Sequence, residues 1–317
     1  MIPTKTIFWG STAESVIVLE KLSAYNDSKI VAVVTQPPRP TGRHPKFMAT
    51  PVETWARKNN IPVLSFSSQK EKPWLFEDEQ TVIDTIQPFK ADLLVSASYG
   101  QKIPSPTIQS ARFGGLNVHP SLLPRWRGAD PVPWAILSGD QQTGVTIVTL
   151  AEKFDEGKII AQKKLPIFPN DTTVILYPKL FTLGAELLID MLSDYTNGKN
   201  KGKPQVSSQT TPGVEQLRTS GKTPYARRLT REDGFEPWET IQKTITTGKD
   251  ADRIDRKFRA FDPWPGLWTT LKINNEQKRL KILRLHLHED KLLIDGVQLE
   301  GKNPISFSQF SSAYLSP

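Results

Sequence analysis

Residues 115–128, Gly-Leu-Asn-Val-His-Pro-Ser-Leu-Leu-Pro-Arg-Trp-Arg-Gly, decide how the rest of the chain is read. The first five are bounded by glycine and apolar at Leu116 and Val118, the pattern of a short buried strand. Side chains two apart on a strand share a face, so Asn117 and His119 are expected side by side at its carboxyl end. The residues after His119 are not regular structure. Pro120, Ser121, Leu122, Leu123 and Pro124, then Arg-Trp-Arg-Gly, make a stiff, partly apolar loop able to wall a flat ligand. Taken alone, the stretch leaves two readings open: an imidazole placed for chemistry, or a loop ending in a satisfied histidine.

Working outward, residues 4–9 read as a strand that Gly10 ends. Ser11 and Glu14 have capping-box spacing for a helix to about Tyr25, and residues 29–35 form a nearly continuous apolar run. Strand, helix and buried strand open a parallel α/β sheet, a Rossmann-like layer with helices on both faces. The first turn lacks G-x-G-x-x-G, which argues against a dinucleotide and a dehydrogenase. Residues 36–46 (QPPRPTGRHPK) are expected as an exposed cationic loop at the carboxyl edge of the sheet, where ligands bind. Thr50, Pro51 and Glu53 start the next helix, which ends near Asn60. A short strand at 62–66, a helix at 77–89 and a buried strand at 91–98 come next, and Tyr99-Gly100 breaks the last of these.

Beyond the central stretch, a helix is expected over 129–138, a strand over 144–150, and a loop at 151–157 that carries Asp155. Residues 158–167 return as a strand, for which antiparallel pairing is open, before a helix capped by Asn170 or Asp171 and kinked or delayed by Pro178. Residues 197–223 are polar and aperiodic, the best linker in the chain. The expected division is therefore a first domain over 1–198, a linker over 199–223 and a second domain over 224–317. After Pro263-Trp264-Pro265-Gly266, short strands at 267–274, 279–287, 291–295 and 297–300 fit a small antiparallel sheet or barrel.

Composition narrows the chemistry. The 317 residues include no cysteine, which removes disulfides, thiolate catalysis and Cys-based zinc sites. Four histidines stand at 44, 119, 286 and 288, none at a recognisable metal spacing. No apolar run approaches the roughly 18 residues of a membrane span, and no secretory signal is visible at Met1 to Gly10, so a cytoplasmic protein is expected. Net charge is +8. Residues 1–198 carry 20 Lys/Arg against 19 Asp/Glu, and residues 199–317 carry 21 against 14. A basic part attached to a near-neutral one points to a polyanion such as RNA. A basic surface without a partner remains the competing reading.

Asn117, His119 and Asp155 could meet at the carboxyl edge of one sheet, and such a set suits acyl transfer to an amine, although the spacing alone does not bring Asp155 to His119. An imidazole moves protons near pH 7, an amide N–H₂ stabilises an oxyanion, and a carboxylate orients the imidazole or relays a proton. The order Asn117-Val118-His119-Pro120-Ser121-Leu122-Leu123-Pro124-Arg125-Trp126-Arg127-Gly128, then Gly144-Val145-Thr146-Ile147, then Phe154-Asp155-Glu156-Gly157, resembles the signature of the 10-formyltetrahydrofolate-dependent formyltransferases. Residues 35–43, Pro51-Val52, Tyr99-Gly100, residues 225–229 and residues 259–266 extend the resemblance to about Trp268, toward the branch that formylates methionyl initiator tRNA.

The resemblance implies a catalytic trio at Asn117, His119 and Asp155, and a folate contact at Ser121, Leu122, Leu123, Pro124, Tyr99 and Gly100. It implies tRNA contacts for the loop carrying Arg39, Arg43 and Lys46, and an OB-like barrel outside the active site. The arginines and lysine of the basic tail, Arg227, Arg228, Arg256 and Lys257, are the expected tRNA contacts there. No metal is implied, and a monomer is expected. Pro38, His44-Pro45, Ser98 and Glu156 depart from the family pattern, which leaves the detail of the tRNA-facing loop open. The rival readings are an amino-sugar nucleotide N-formyltransferase and a noncatalytic RNA-binding relative.

Overall fold

Apolar runs in the first two thirds of the chain line up as a single sheet in the computed structural model, which describes residues 3–41, 46–205, 224–289 and 291–315. Arg43 and residues 206–223 of the expected linker lie outside the described residues. In chain order the elements are β1 (Thr4–Trp9), α1 (Ala13–Ser23), β2 (Ser28–Val34), β3 (Arg39–Thr41), β4 (Lys46–Met48), α2 (Pro51–Lys58), β5 (Val63–Leu64), α3 (Glu79–Ile86) and β6 (Leu93–Ala97). Then come α4 (Ser105–Ser110), β7 (Gly115–His119), β8 (Arg127–Gly128), α5 (Pro131–Leu137), β9 (Gln142–Thr149), β10 (Ile159–Pro166) and α6 (Thr173–Thr196). The last third holds β11 (Tyr225–Ala226), α7 (Trp238–Thr247), α8 (Ala251–Phe261), β12 (Leu267–Ile273), β13 (Glu276–His288), β14 (Lys291–Leu299), β15 (Ile305–Ser306) and α9 (Phe307–Tyr314).

Seven strands form the main sheet in the order β10-β9-β7-β6-β1-β2-β5. The five strands from β7 to β5 run parallel, β9 is antiparallel to β7, and β10 is antiparallel to β9. One face buries Phe8, Val33, Val95, Val118 and Ile147 against helical residues that include Leu19, Ala56 and Leu188. The other buries Ile7, Trp9, Val34 and Leu94 against Val82 and Ile86 of α3. A large apolar side chain fully withdrawn in this way contributes about 1.5–3 kcal/mol, which is why these strands read as continuous apolar runs.

Register builds the site. Trp9 pairs with Ser96, Ser96 with Asn117 and Asn117 with Val148, so Asn117 stands in one transverse row on the Trp9 face. Two residues on, His119 pairs with Thr146.

Three local expectations are corrected. The cap of α1 is Thr12, not Ser11, and Ser15 rather than Glu14 closes its box. Ser15 is needed there because its Oγ also donates to the Ala97 carbonyl at 2.6 Å, tying the helix start to the end of β6. The stretch 36–46 is not loop throughout: β3 and β4 pair antiparallel. Pro40 is tolerated because both strands of a two-stranded ribbon are edges. The strands expected at 291–295 and 297–300 are one strand, β14, which passes through Gly296 opposite Arg284, where the register shifts. A fourth correction concerns residues 199–205, expected as linker: Lys203 exchanges backbone hydrogen bonds with Ile159 at 2.8 Å.

Contacts divide the chain into two units, one of residues 1–131, 142–166 and 177–226, the other of residues 132–141, 167–176 and 227–317. The second contains an antiparallel sheet, β12-β13-β14-β15. Trp238, Ile241, Ile254, Leu280, Val297 and Phe310 form its core. Among the described residues no helix is long and apolar enough to cross a membrane.

Candidate active site

The strand, the loop after it and the β9–β10 connection meet at the carboxyl end of β7. Asn117 Nδ2 donates to Asp155 Oδ1 at 3.3 Å. His119 Nδ1 lies 3.4 Å from the same oxygen, with the imidazole and carboxylate side chains 5% and 8% exposed. Asp155 Oδ2 accepts the Gly128 N–H at 3.0 Å. His119 Nε2 lies 2.9 Å from the Trp126 carbonyl, which can only accept, so Nε2 carries a proton. Nδ1, facing the carboxylate, is the nitrogen left to gain or lose one.

Backbone geometry aims the carboxylate. Asp155 has φ 57°, in the left-handed region that costs a non-glycine residue about 1–3 kcal/mol. Two residues on, a Cβ at Gly157 would lie 1.8 Å from the Thr149 carbonyl, so only glycine lets the loop approach β9. Gly128 is similar, with φ 118° and a would-be Cβ 2.4 Å from the Ala226 carbonyl, at the place where β8 pairs with β11.

The loop after His119 is pinned from β9 and β10. Thr146 Oγ1 donates to the Ser121 carbonyl at 2.6 Å and accepts the Leu123 N–H at 3.1 Å. Gln162 Nε2 donates to the Leu123 carbonyl at 2.8 Å. Ser121 Oγ donates inward to the Arg125 carbonyl at 2.7 Å. Ser121, Leu123 and Pro124 are buried and Leu122 is half-buried, so Leu122 is the member of the expected folate segment most open to a ligand.

Tyr99 is buried edge-on to Trp9, with ring centroids 5.3 Å apart. Burial pushes its hydroxyl well above the ordinary range. Gly100 is exposed and has φ 84°. The Tyr99 hydroxyl, the Trp9 Nε1 and both polar atoms of the Gln101 amide are buried without a hydrogen-bond partner among the described residues.

Sequence reasoning named the trio but missed Trp126, Gly128, Thr146, Gln162, Arg127 and Gln205. Trp126, Arg127, Gly128 and Thr146 stand inside the quoted motifs. Gln205 lies in a polar stretch that carries no signal.

In the second unit the expected tRNA contacts differ in availability. Arg227 forks onto Asp233, with Nη1 to Oδ2 at 2.8 Å, and stacks 4.8 Å over the Trp134 ring. The Arg227 guanidinium holds the Asp233 carboxyl down at about 2. Arg228 is exposed and Arg256 half-buried. Lys257 is reassigned: its Nζ pairs with Glu236 at 2.9 Å and its side chain is 12% exposed, so it holds the fold rather than offering a free charge. Arg253 takes the other oxygen of Glu236 at 2.5 Å. Burial opposes the Glu236 charge, but the two cations outweigh it and leave the carboxyl below its ordinary range. Arg39 and Lys46 belong to β3 and β4.

A strand-end amide and imidazole thus share one buried carboxylate at the carboxyl edge of a mostly parallel α/β sheet. The formyl transferase model matches residues 6–192 and the formyl transferase C-terminal domain model residues 240–292, and the chain belongs to this family. It is 38% identical over 288 residues to a methionyl-tRNA formyltransferase of Listeria innocua, covering 91% of this chain and 81% of that one. A methionyl-tRNA formyltransferase of Roseiflexus sp. (strain RS-1) is 37% identical over 268 residues, covering 84% and 73%.

Solved structures share the fold. HypX from Aquifex aeolicus in complex with tetrahydrofolic acid superposes with a TM-score of 0.58 at 15% identity, over 99% of this chain and 47% of that chain. A sugar N-formyltransferase from Shewanella sp FDAARGOS_354 gives 0.54 at 18% identity, over 86% and 95%.

Proposed function

We propose that the protein transfers the formyl group of 10-formyltetrahydrofolate to the α-amine of methionyl initiator tRNA, as a cytoplasmic monomer. The observation that carries this reading is the meeting of Asn117 and His119 on Asp155 Oδ1, in a chain 38% identical to a methionyl-tRNA formyltransferase.

The residues present suit a folate. Buried polar atoms without partners, on Tyr99, Gln101 and Trp9, are costly unless a polar ligand satisfies them, and a pterin head offers both donors and acceptors. Leu122 supplies apolar surface for a flat ring.

When bound, the folate supplies the formyl group. Asn117 uses one amide N–H on Asp155 and retains a second for the oxyanion that forms as the amine adds. Nδ1 of His119, with Asp155 Oδ1 beside it, takes up the proton the amine loses and returns one to the departing nitrogen. The pair therefore ends each turnover in the protonation state in which it began. Among the described residues no group of three or more His, Asp and Glu could hold a metal.

The division of labour follows the charge. The first 198 residues carry the chemistry, and the basic remainder grips tRNA through an OB-like barrel of which β12–β15 form part, with Arg227, Arg228 and Arg256 as its phosphate contacts and Arg39, Arg43 and Lys46 as those of the first domain. The test is to incubate the protein with 10-formyltetrahydrofolate and either methionyl initiator tRNA or an amino-sugar nucleotide. Formylation of the tRNA alone supports the reading, and formylation of the sugar nucleotide alone overturns it.

A further inference from the structure

The aspartate of the trio is held by two residues that have no part in its chemistry. Gln205 Nε2 donates to the main-chain carbonyl of Asp155 at 2.6 Å and to that of Gly157 at 2.8 Å. Its Oε1 accepts from Arg127, from Nε at 2.9 Å and from Nη2 at 2.5 Å. Arg127 also lies 3.7 Å from Glu156, the residue between those two carbonyls. The N–H of the next residue, Gly128, donates to Asp155 Oδ2 at 3.0 Å. Residues 127 and 128 thus hold Asp155 from both ends, the carboxylate directly and the main chain through Gln205.

The closed circuit has a physical reason. Asp155 adopts a left-handed backbone, uncommon for any residue but glycine, and its Oδ1 lies at 3.3 and 3.4 Å from its partners, where a small shift breaks both contacts. An amide suits this place as no other side chain does. It donates twice to the two carbonyls while its oxygen receives the fork of a guanidinium. We infer that Gln205 and Arg127 are positioning residues for formyl transfer, a clasp that fixes the 155–157 turn so that Asp155 stays within reach of Asn117 and His119. Neither touches the reacting atoms.

This inference rests on the proposed reaction, so the test carries a readout that does not. Gln205→Ala and Arg127→Met each lower kcat by roughly 10- to 100-fold with KM for both substrates within about threefold, because geometry rather than binding is lost. Hydrogen exchange across residues 151–158 rises in both variants, whatever the enzyme formylates. Gln205→Glu separates clasp from charge anchor. It keeps a partner for Arg127 but turns an anion toward two carbonyl oxygens, and is expected to lose as much kcat as Gln205→Ala. The double variant is no worse than the poorer single one to within about threefold, as members of one circuit require.

If wild type transfers no formyl group while exchange rises as stated, the reaction is wrong and the clasp stands. Wild-type kcat in Gln205→Ala, full activity in Gln205→Glu, unchanged exchange, or losses that multiply in the double variant would each overturn the clasp.

Discussion

Asp155 in the first unit and Asp233 and Glu236 in the second are withdrawn from solvent to the same degree, with side chains 8%, 11% and 7% exposed, yet their partners differ in kind. Asp155 is held by a backbone N–H, a neutral amide and an imidazole. Asp233 faces the Arg227 guanidinium, and Glu236 faces Arg253 and Lys257. A permanent cation fixes a carboxylate as an anion and so makes it part of the scaffold. A partner that can itself take or give a proton leaves the carboxylate free to share one. On the proposed reaction, the comparison teaches that burial alone does not mark the working acid; the chemistry of its neighbours does.

Removing the switchable partner is the severest way to break this comparison. His119→Ala is expected to lower kcat by roughly two to four powers of ten, with tetrahydrofolate affinity largely kept. Turnover near wild type, measured by formyl transfer to methionyl initiator tRNA, would contradict it.

The permanently paired side gives a pH effect of known sign. The Asp233 carboxyl titrates at about 2 in the folded protein, below the ordinary 3.8. Its contribution to stability is therefore complete above pH 3.8 and is lost as pH falls toward 2. In acid-unfolding curves, Asp233→Asn is expected to be less stable than wild type at neutral pH and to approach it as pH falls through that window. A gap that stays constant across the window would contradict the assignment. A smaller effect is expected at Arg228, which is exposed. Arg228→Ala lowers the slope of log affinity for tRNA against log salt by about one, without changing kcat at saturating tRNA. An unchanged slope would remove Arg228 from the tRNA-binding face.

The comparison also shows which parts were legible beforehand. Alternation places Asn117 and His119 on one face, and the nearly continuous apolar run of β2 announces a strand buried on both sides, because burial is what selects those residues. Asp155 lies 36 positions after His119, and no periodicity links the two. Their meeting depends on a left-handed turn and on the close approach of Gly157 to Thr149, neither of which leaves a pattern. Ser11, Thr12, Glu14 and Ser15 offer overlapping capping boxes, and the tertiary bond from Ser15 to the Ala97 carbonyl decides among them. Lys257 reads as one more cation of a basic tail until Glu236 is found beside it. Gln205 reads as linker for the same reason, since a side chain whose work is to join distant carbonyls has no local signature.

The central claim is that the carboxylate at 155 works with the imidazole at 119, and a single-turnover measurement on Asp155→Asn tests it most directly. Asparagine keeps the size and can still accept the Gly128 N–H, but it offers the imidazole no negative charge and no site for a proton. Methionyl initiator tRNA and 10-formyltetrahydrofolate should both bind the variant, with transfer slowed at least about 100-fold. Transfer at the wild-type rate would show that Asp155 belongs to the scaffold, as Asp233 does, and that the proton follows another route.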